Sequence, residues 1–297
     1  FKLLKGLKFT TNASYDLSRA ITKIRYNNLM GDQPEGMLKM DDYRSTSLTF
    51  NQLLQYNTTL NDVHHIEALL GHENYLYDYV STSMDKKGMA ILGLDEMPNL
   101  ANPISMSSGT TTYRKEGYFG RLNYDYSSKY YLSFSYRKDG SSKFASAQRW
   151  GNFWSAGASW RVSREEFMKD YTWLDELKLR LSAGQTGNDN LLDSDGYSVY
   201  YPYMTLFSLG YNNGDYSAIL FSQLGNPDLR WETQTSYDLA LEFAVLKRVQ
   251  ATVEVFNKES KDLIFPYPLP TSSGVRGYGK IRSLDSLLRF STKSLKT

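Results

Sequence analysis

The chain has 297 residues, with 34 Lys+Arg against 32 Asp+Glu and a net charge of +2, a balance that argues against a nucleic-acid footprint. It has no cysteine, which removes disulfides, thiol nucleophiles and zinc-thiolate sites. No run of roughly 18 apolar residues offers a transmembrane helix, while 24 tyrosines suit a surface that is apolar at one end and wet at the other.

The first predicted strand runs from Gly6 to Leu17. Leu7, Phe9, Thr11, Ala13, Tyr15 and Leu17 share one face, and Lys8, Thr10, Asn12, Ser14 and Asp16 the other. A long loop is predicted from Arg19 to Ser45, marked by Gly31-Asp32 and Pro34-Glu35-Gly36. Ser47 to Asn57 returns as a strand, Thr58 to Val63 turns, and His65 to Tyr77 runs back. Tyr79 to Glu116 reads as a second long loop with a short helix near its start.

Tyr118 to Arg161 carries the clearest pattern, three strands in succession. Tyr118, Gly120, Leu122, Tyr124 and Tyr126 alternate with Phe119, Arg121, Asn123 and Asp125. After a Ser127-Ser128-Lys129 turn, Tyr130, Leu132, Phe134 and Tyr136 alternate with Tyr131, Ser133, Ser135 and Arg137. After the Lys138 to Gly151 loop, Trp154, Ala156, Ala158 and Trp160 alternate with Ser155, Gly157, Ser159 and Arg161.

Ser163 to Glu176 is a turn with capping-box spacing between Ser163 and Glu166, and Phe167, Met168 and Tyr171 would form one side of a short helix. Leu177 to Ala183 is a strand, and Gly184 to Arg230 the longest loop, Tyr-rich from Tyr197 to Tyr203. Thr233 to Phe243 and Gln250 to Ile264 complete the series across a turn at Ala244 to Arg248.

The expected fold is all-β: about nine antiparallel strands in up-and-down order, part of a transmembrane β-barrel. The strands have the roughly nine to eleven residues that a tilted membrane strand needs. Long and short connections alternate, as they do when all long loops lie on one side of a membrane. The alternative is a soluble, carbohydrate-binding β-sandwich, with the Tyr, Leu and Trp faces buried between two sheets.

The residues suggest no enzyme and no cofactor. His64, His65 and His72 have no spacing that makes them converge on a metal. Asp189, Asp193 and Asp195-Gly196 lack the later ligands of an EF-hand, which leaves an irregular calcium site in the 189–196 loop as an open alternative to a solvated acidic loop. Gly184-Gln185-Thr186-Gly187-Asn188 lacks the Lys of a phosphate loop, and its glycines read as letting the strand bend. Asn226-Pro227-Asp228 reads as a turn and Trp231 as an interfacial anchor. Tyr197, Tyr200, Tyr201, Tyr203, Tyr211 and Tyr216 are candidates to stack on sugar rings or pack peptide side chains.

Several ordered motifs carry a resemblance: Gly71-His72-Glu73, Phe119 to Tyr126 (FGRLNYDY), Lys138 to Phe144 (KDGSSKF), Arg149-Trp150-Gly151, Gly184 to Asn188, and Asn226 to Glu232 (NPDLRWE). Together they resemble the barrel part of the SusC/RagA-like TonB-dependent outer-membrane transporters of Bacteroidota, from about Gly6 to about Gly274.

The resemblance implies a plugged, 22-stranded barrel of which this chain supplies a part. It implies import of glycans or peptides, outer-membrane lipid around the barrel and a SusD-like surface lipoprotein over its mouth. Drive would come from the TonB-ExbB-ExbD complex through an N-terminal region, which with the plug and the first half of the barrel would lie before Phe1. Lys8, Asn12, Arg121, Asn123, Asp125, Arg137, Arg161, Lys178, Arg180, Asp238 and Glu242 would face the lumen. Residues 1–274 are the expected barrel portion. Residues 275–297 are expected to be a disordered tail outside the family pattern, from a truncated or shifted reading frame, and a fragment with two open edges is not expected to transport alone.

Overall fold

The computed structural model describes residues 2–29, 31–193, 195–266, 270, 272, 281–284 and 288–296. The strands in chain order are β1 (Lys2–Leu4), β2 (Leu7–Tyr26), β3 (Met37–Leu60), β4 (His64–Met89), β5 (Leu100–Tyr126), β6 (Tyr130–Ser141), β7 (Trp150–Arg161) and β8 (Leu174–Asn188). They continue with β9 (Leu206–Asn213), β10 (Tyr216–Gln223), β11 (Glu232–Val245), β12 (Val249–Lys261), β13 (Leu263–Pro266), β14 (Ile281–Leu284) and β15 (Leu288–Lys296). One sheet has the order β1-β2-β3-β4-β5-β6-β7-β8-β11-β12-β15, while β9 with β10 and β13 with β14 form separate hairpins. Its long members, β2 to β8 with β11 and β12, are the nine strands the alternation predicts. Among the described residues β1 and β15 each have one neighbour, so the sheet does not close.

Three connections have only three residues, the first two with positive φ: Asn61 and Asp62, Ser127 and Ser128, Leu246 and Lys247. Such turns match the right-handed twist of the paired strands. Leu246 and Lys247 are poor residues for this conformation. Backbone bonds offset that cost, from Leu246 N–H to the Trp173 carbonyl at 2.9 Å and from Lys247 N–H to Asp175 at 2.6 Å.

The chain divides into two compact units. The first comprises Phe1–Thr11, Asn51–Glu73 and Lys115–Thr297. The second comprises Asn12–Phe50 and Asn74–Arg114, which are stretches of β2 to β5 with their connections. In the second unit Leu38 and Leu100 are fully buried, and buried Asp41 accepts from Ser83 Oγ at 2.6 Å. Arg19 grips Asp42 through Nε and a terminal nitrogen at 3.0 and 2.6 Å, and Lys23 and Arg25 pair with Glu96 and Asp95 at 3.1 Å.

This unit corrects the two long loops expected at 19–45 and 79–116. β2 continues to Tyr26, β3 starts at Met37, β4 continues to Met89 and β5 starts at Leu100; in place of a helix near Tyr79 there is strand. These stretches are polar on both faces, so they lose the alternation that betrays a strand, while their Thr, Tyr and Ile residues still favour extended backbone.

Three further expectations differ. Ser163 to Glu176 holds two single 3-10 turns, Val162–Arg164 and Glu166–Met168, and no capping box: neither turn has a side-chain cap, and Glu166 instead pairs with Lys169 at 2.5 Å. The Gly184 to Arg230 loop contains the β9–β10 hairpin, and β8 runs on to Asn188. Within the tail expected to be disordered, the described residues 281–284 and 288–296 form β14 and β15, and β15 pairs with β12 from Thr252↔Lys296 to Ser260↔Leu288; residues 275–280, 285–287 and 297 lie outside the described residues. Backbone pairing needs no apolar alternation, which is the signal the tail lacks.

Candidate functional site: an apolar belt, a charged wall and a loop hub

Register places the apolar residues of β5 to β12 in continuous rows. One row is Leu122, Phe134, Ala156, Ala183 and Tyr237; the next is Tyr124, Leu132, Ala158, Leu181, Leu239 and Val255. Below them Tyr126, Tyr130 and Trp160 stand side by side, with ring centroids 6.2 and 6.4 Å apart. Above them are Tyr136 and Trp154, then Tyr118 and Trp150 at 6.1 Å. From Tyr130 to Gly140, which pairs with Trp150, the strand rises ~33 Å at 3.3 Å per residue. At the 35–45° tilt usual for barrel strands this is about the 25 Å height of a lipid-facing band.

These side chains are open. Leu132 is 54%, Phe134 51%, Leu181 51% and Leu239 46% exposed. Among the described residues no second sheet covers them, which removes the premise of a sandwich. A contiguous apolar face of this extent is a binding surface for lipid or protein, not a water-facing one.

The opposite face is charged and paired. Arg137 Nε donates to both Asp139 oxygens at 2.7 Å, its terminal nitrogen reaches Glu73 at 3.2 Å, and its guanidinium lies 5.0 Å from the Phe119 ring centroid. Arg161 Nε donates to Glu176 at 2.9 Å. Lys178 and Arg180 meet Glu242 at 3.6 and 3.2 Å, and Arg180 also meets Glu254 at 3.5 Å. Arg121 donates to Asn123, and Asn123 to Glu67, each at 3.3 Å. Ser182 donates to Asp238 at 3.2 Å. Asp125 caps the neighbouring turn by accepting Ser128 N–H at 2.7 Å. Lys8 and Asn12 are exposed on β2. Alternation selects the basic members of this wall together with Asp125, Asp238 and Glu242; Glu67, Glu73, Glu176 and Glu254 stand outside that selection and are brought opposite by register.

At the far end from the short turns, the loop motifs fold onto one another. Phe144, Phe153, Leu191, Leu229 and Trp231 form a buried cluster. Trp231 lies 5.3 Å from Phe144 and 5.4 Å from Phe153, and its indole N–H donates to the Arg149 carbonyl at 2.9 Å. Trp231 is therefore a core residue and not an interfacial anchor, because the Asn226–Leu229 turn (Leu229 N–H to Asn226 carbonyl, 3.2 Å) brings the chain over it. Lys115 reaches Asp189 at 3.6 Å and lies over Trp231 at 5.5 Å, and Lys143 lies over Tyr200 at 5.3 Å. Burial pushes the Lys143 ammonium below its ordinary range, and Asp189 opposes that shift.

The glycines of the motifs have a shared cause. A Cβ at Gly71 would stand inside the Phe119 ring, one at Gly187 or Gly151 would meet the Phe153 ring, and one at Gly140 would press on Trp150. Gly187 makes room for an aromatic ring rather than bending the strand.

The six candidate tyrosines fall in three settings. Tyr197 is 72% exposed beyond a turn in which Asp193 accepts the N–H groups of Asp195 and Tyr197 at 3.0 and 2.8 Å. Tyr200, Tyr201 and Tyr203 are half-buried at the neck of the β9–β10 hairpin, where Gln223 donates to the Tyr201 and Met204 carbonyls at 2.8 and 3.0 Å. Tyr211 and Tyr216 are exposed on the hairpin itself. Asp193 is thus spent on a turn, and among the described residues no group of three or more His, Asp or Glu is placed to hold a metal. His64, His65 and His72 bond to Tyr124, Thr59 and Gln52 at 2.8, 2.9 and 2.7 Å.

At the short-turn end, the Glu165 carboxylate accepts from Tyr130 Oη at 2.6 Å and from Trp160 Nε1 and Lys129 Nζ at 3.1 Å. These donors, Tyr130 foremost, hold its pKa down at about 2.

Residues 2–290 match the family model described as TonB dependent receptor-like, beta-barrel. The TonB-dependent receptor P39 of Formosa agariphila is 27% identical over 285 residues, 92% of this chain and 26% of the relative. TonB-dependent receptor SusC of Bacteroides thetaiotaomicron is 28% identical over 76% of this chain and 22% of its own length. A chain of the RagAB peptide transporter superposes with a TM-score of 0.84 at 26% identity, over 95% of this chain and 31% of that one. The chain thus spans between a fifth and a third of the length of these relatives. With an open antiparallel sheet, an apolar belt, a charged opposite wall and residues 2–290 matched to the family model, this chain belongs to the SusC/RagA-like branch of the TonB-dependent receptor β-barrel family.

Proposed function

We propose that this chain is part of a TonB-dependent importer of the bacterial outer membrane that takes up glycans or peptides. The observation that carries the reading is the belt. Its aliphatic rows lie between two aromatic rows at the spacing a membrane requires, and the face behind it is charged and internally paired. Residues 1–274 are the barrel portion. The relatives' names, SusC and a peptide transporter, support import and leave both substrate classes in play.

In this reading the loops above the hub capture the ligand, with Tyr211 and Tyr216 on the projecting hairpin and Tyr197, Tyr200, Tyr201 and Tyr203 at its base as contacts. Arg121, Asn123, Arg137, Arg161, Lys178 and Arg180 line the wet wall on which a plug rests. Energy comes from TonB-ExbB-ExbD through the N-terminal part of a longer protein, and a SusD-like lipoprotein covers the mouth. The nine long strands are fewer than half of a 22-stranded ring, so this stretch does not transport by itself. The test compares cells with and without the gene that contains this stretch, by outer-membrane fractionation and by uptake of fluorescent oligosaccharides and peptides. Protein in the outer-membrane fraction and loss of uptake of one class on deletion are expected; a soluble protein would overturn the reading.

A further inference from the structure

The β7–β8 connection is longer than its counterparts. Three residues suffice at 61–63, 127–129 and 246–248, yet residues 162–173, with two 3-10 turns among them, separate Arg161 from Leu174. This connection is tied to the belt by Glu165, whose carboxylate takes Tyr130 Oη and Trp160 Nε1. Both rings stand in the lower aromatic row of the apolar face, so the latch draws the connection toward that face and not toward the charged wall. What it then displays is apolar: Phe167 is 62%, Tyr171 50% and Trp173 52% exposed, beside Leu246 at 65%. The Trp173 carbonyl accepts Leu246 N–H, which joins the two turns into one foot. Arg164, Lys169 and Asp170 lie among these residues, giving the mixture of aromatic bodies and charged heads that suits a membrane–water boundary.

We propose that the β7–β8 connection is an interfacial anchor: it lies in the phospholipid headgroup layer at the short-turn end of the belt, with Phe167, Tyr171, Trp173 and Leu246 entering the acyl boundary and Glu165 latching it to the aromatic row. Continuity with the belt identifies the partner as the lipid surface. The inference rests on the reading that the belt spans a membrane.

This stretch has no cysteine of its own to compete with a spin label. The longer protein that contains this stretch, with any cysteine elsewhere in it replaced by serine, is reconstituted into vesicles of phosphatidylethanolamine and phosphatidylglycerol with a nitroxide at one of Leu132→Cys, Phe167→Cys, Trp173→Cys or Leu209→Cys. Collision with oxygen, which favours lipid, is compared with collision with a water-soluble nickel chelate. The oxygen-to-nickel ratio at 167 and 173 is expected to fall between the high value at 132 in the belt and the low value at 209 on the exposed hairpin. Adding Glu165→Ala to Phe167→Cys is expected to lower the ratio to the 209 value, and Glu165→Gln, which keeps an acceptor for Trp160, to lower it less. Ratios at 167 and 173 equal to that at 209, with 132 still in lipid, overturn the anchor alone. A ratio unchanged by both Glu165 substitutions overturns the latch. A water-like value at 132 overturns the membrane reading and the anchor with it.

Discussion

The Phe153 ring lies across Gly187, so that any side chain at 187 would occupy the space of the ring. Phe153 in turn packs edge-on against Trp231, which makes the glycine a floor of the loop hub. Gly187→Ala is expected to force Phe153 aside and to cost about 1–3 kcal/mol, the usual range for overpacking. Midpoints of urea unfolding in lipid vesicles check this. Thr186→Ala, beside it in β8 but exposed, is expected to shift the midpoint far less.

Trp231 combines packing with a hydrogen bond to the Arg149 carbonyl. Trp231→Phe keeps most of the ring and loses the donor; the Arg149 carbonyl keeps the Ser141 N–H at 3.2 Å, so the expected cost is that of one hydrogen bond, about 0.5–1.5 kcal/mol. Trp231→Ala empties the cluster as well and is expected to cost about 3–5 kcal/mol. Limited proteolysis between Asn190 and Arg230 reports the loss locally. Cleavage is expected to rise from wild type to Phe to Ala while the belt strands stay protected.

The nine long strands were legible because each has an apolar belt on one face and a polar wall on the other, the condition for period-two alternation. Where β2 to β5 run through polar surroundings that contrast vanishes, and 19–45 and 79–116 read as loops. The hub was legible only as motifs. Phe144, Leu191 and Leu229 stand alone or beside one other apolar residue in polar stretches, and runs so short carry no period. Their convergence depends on register across β6, β7, β8 and β11. Glu242, the partner of Lys178 and Arg180, was legible by alternation, but Glu73 was hidden for the same reason as the hub: it meets Arg137, 64 positions away in sequence.

Adjacent residues on β6 separate the two faces. Leu132 stands in the middle of the belt, and Ser133 on the wall between Asn123 and Gly157. Leu132→Arg is expected to cost about 2–4 kcal/mol in a lipid bilayer, the penalty for a cation near the midplane of a barrel's outer face. Ser133→Arg points to the wet side and is expected to fold as wild type. Heat-modifiable electrophoresis after refolding into vesicles distinguishes the two. Equal tolerance of both arginines would show that the belt does not face lipid.

Glu165 links pH to the short-turn end. Its folded pKa, about 2, is depressed from the ordinary 4.5 by the donors Tyr130, Trp160 and Lys129. A depressed carboxylate stabilises the fold fully above its unfolded pKa, and that contribution is lost as pH falls through the folded value. The latch is therefore expected to hold at neutral pH, to weaken as pH drops below 4.5, and to release near 2. Trp160 reports the change directly, because its indole N–H is bonded to the carboxylate at 3.1 Å. The fluorescence difference between the chain and its Trp160→Phe variant is expected to titrate in that window. Glu165→Gln removes the ionisation and is expected to abolish the transition while Glu166→Gln leaves it in place. Glu166 pairs with Lys169, while Tyr130 and Trp160 both donate to Glu165, so the loss of Glu166 leaves those two bonds intact.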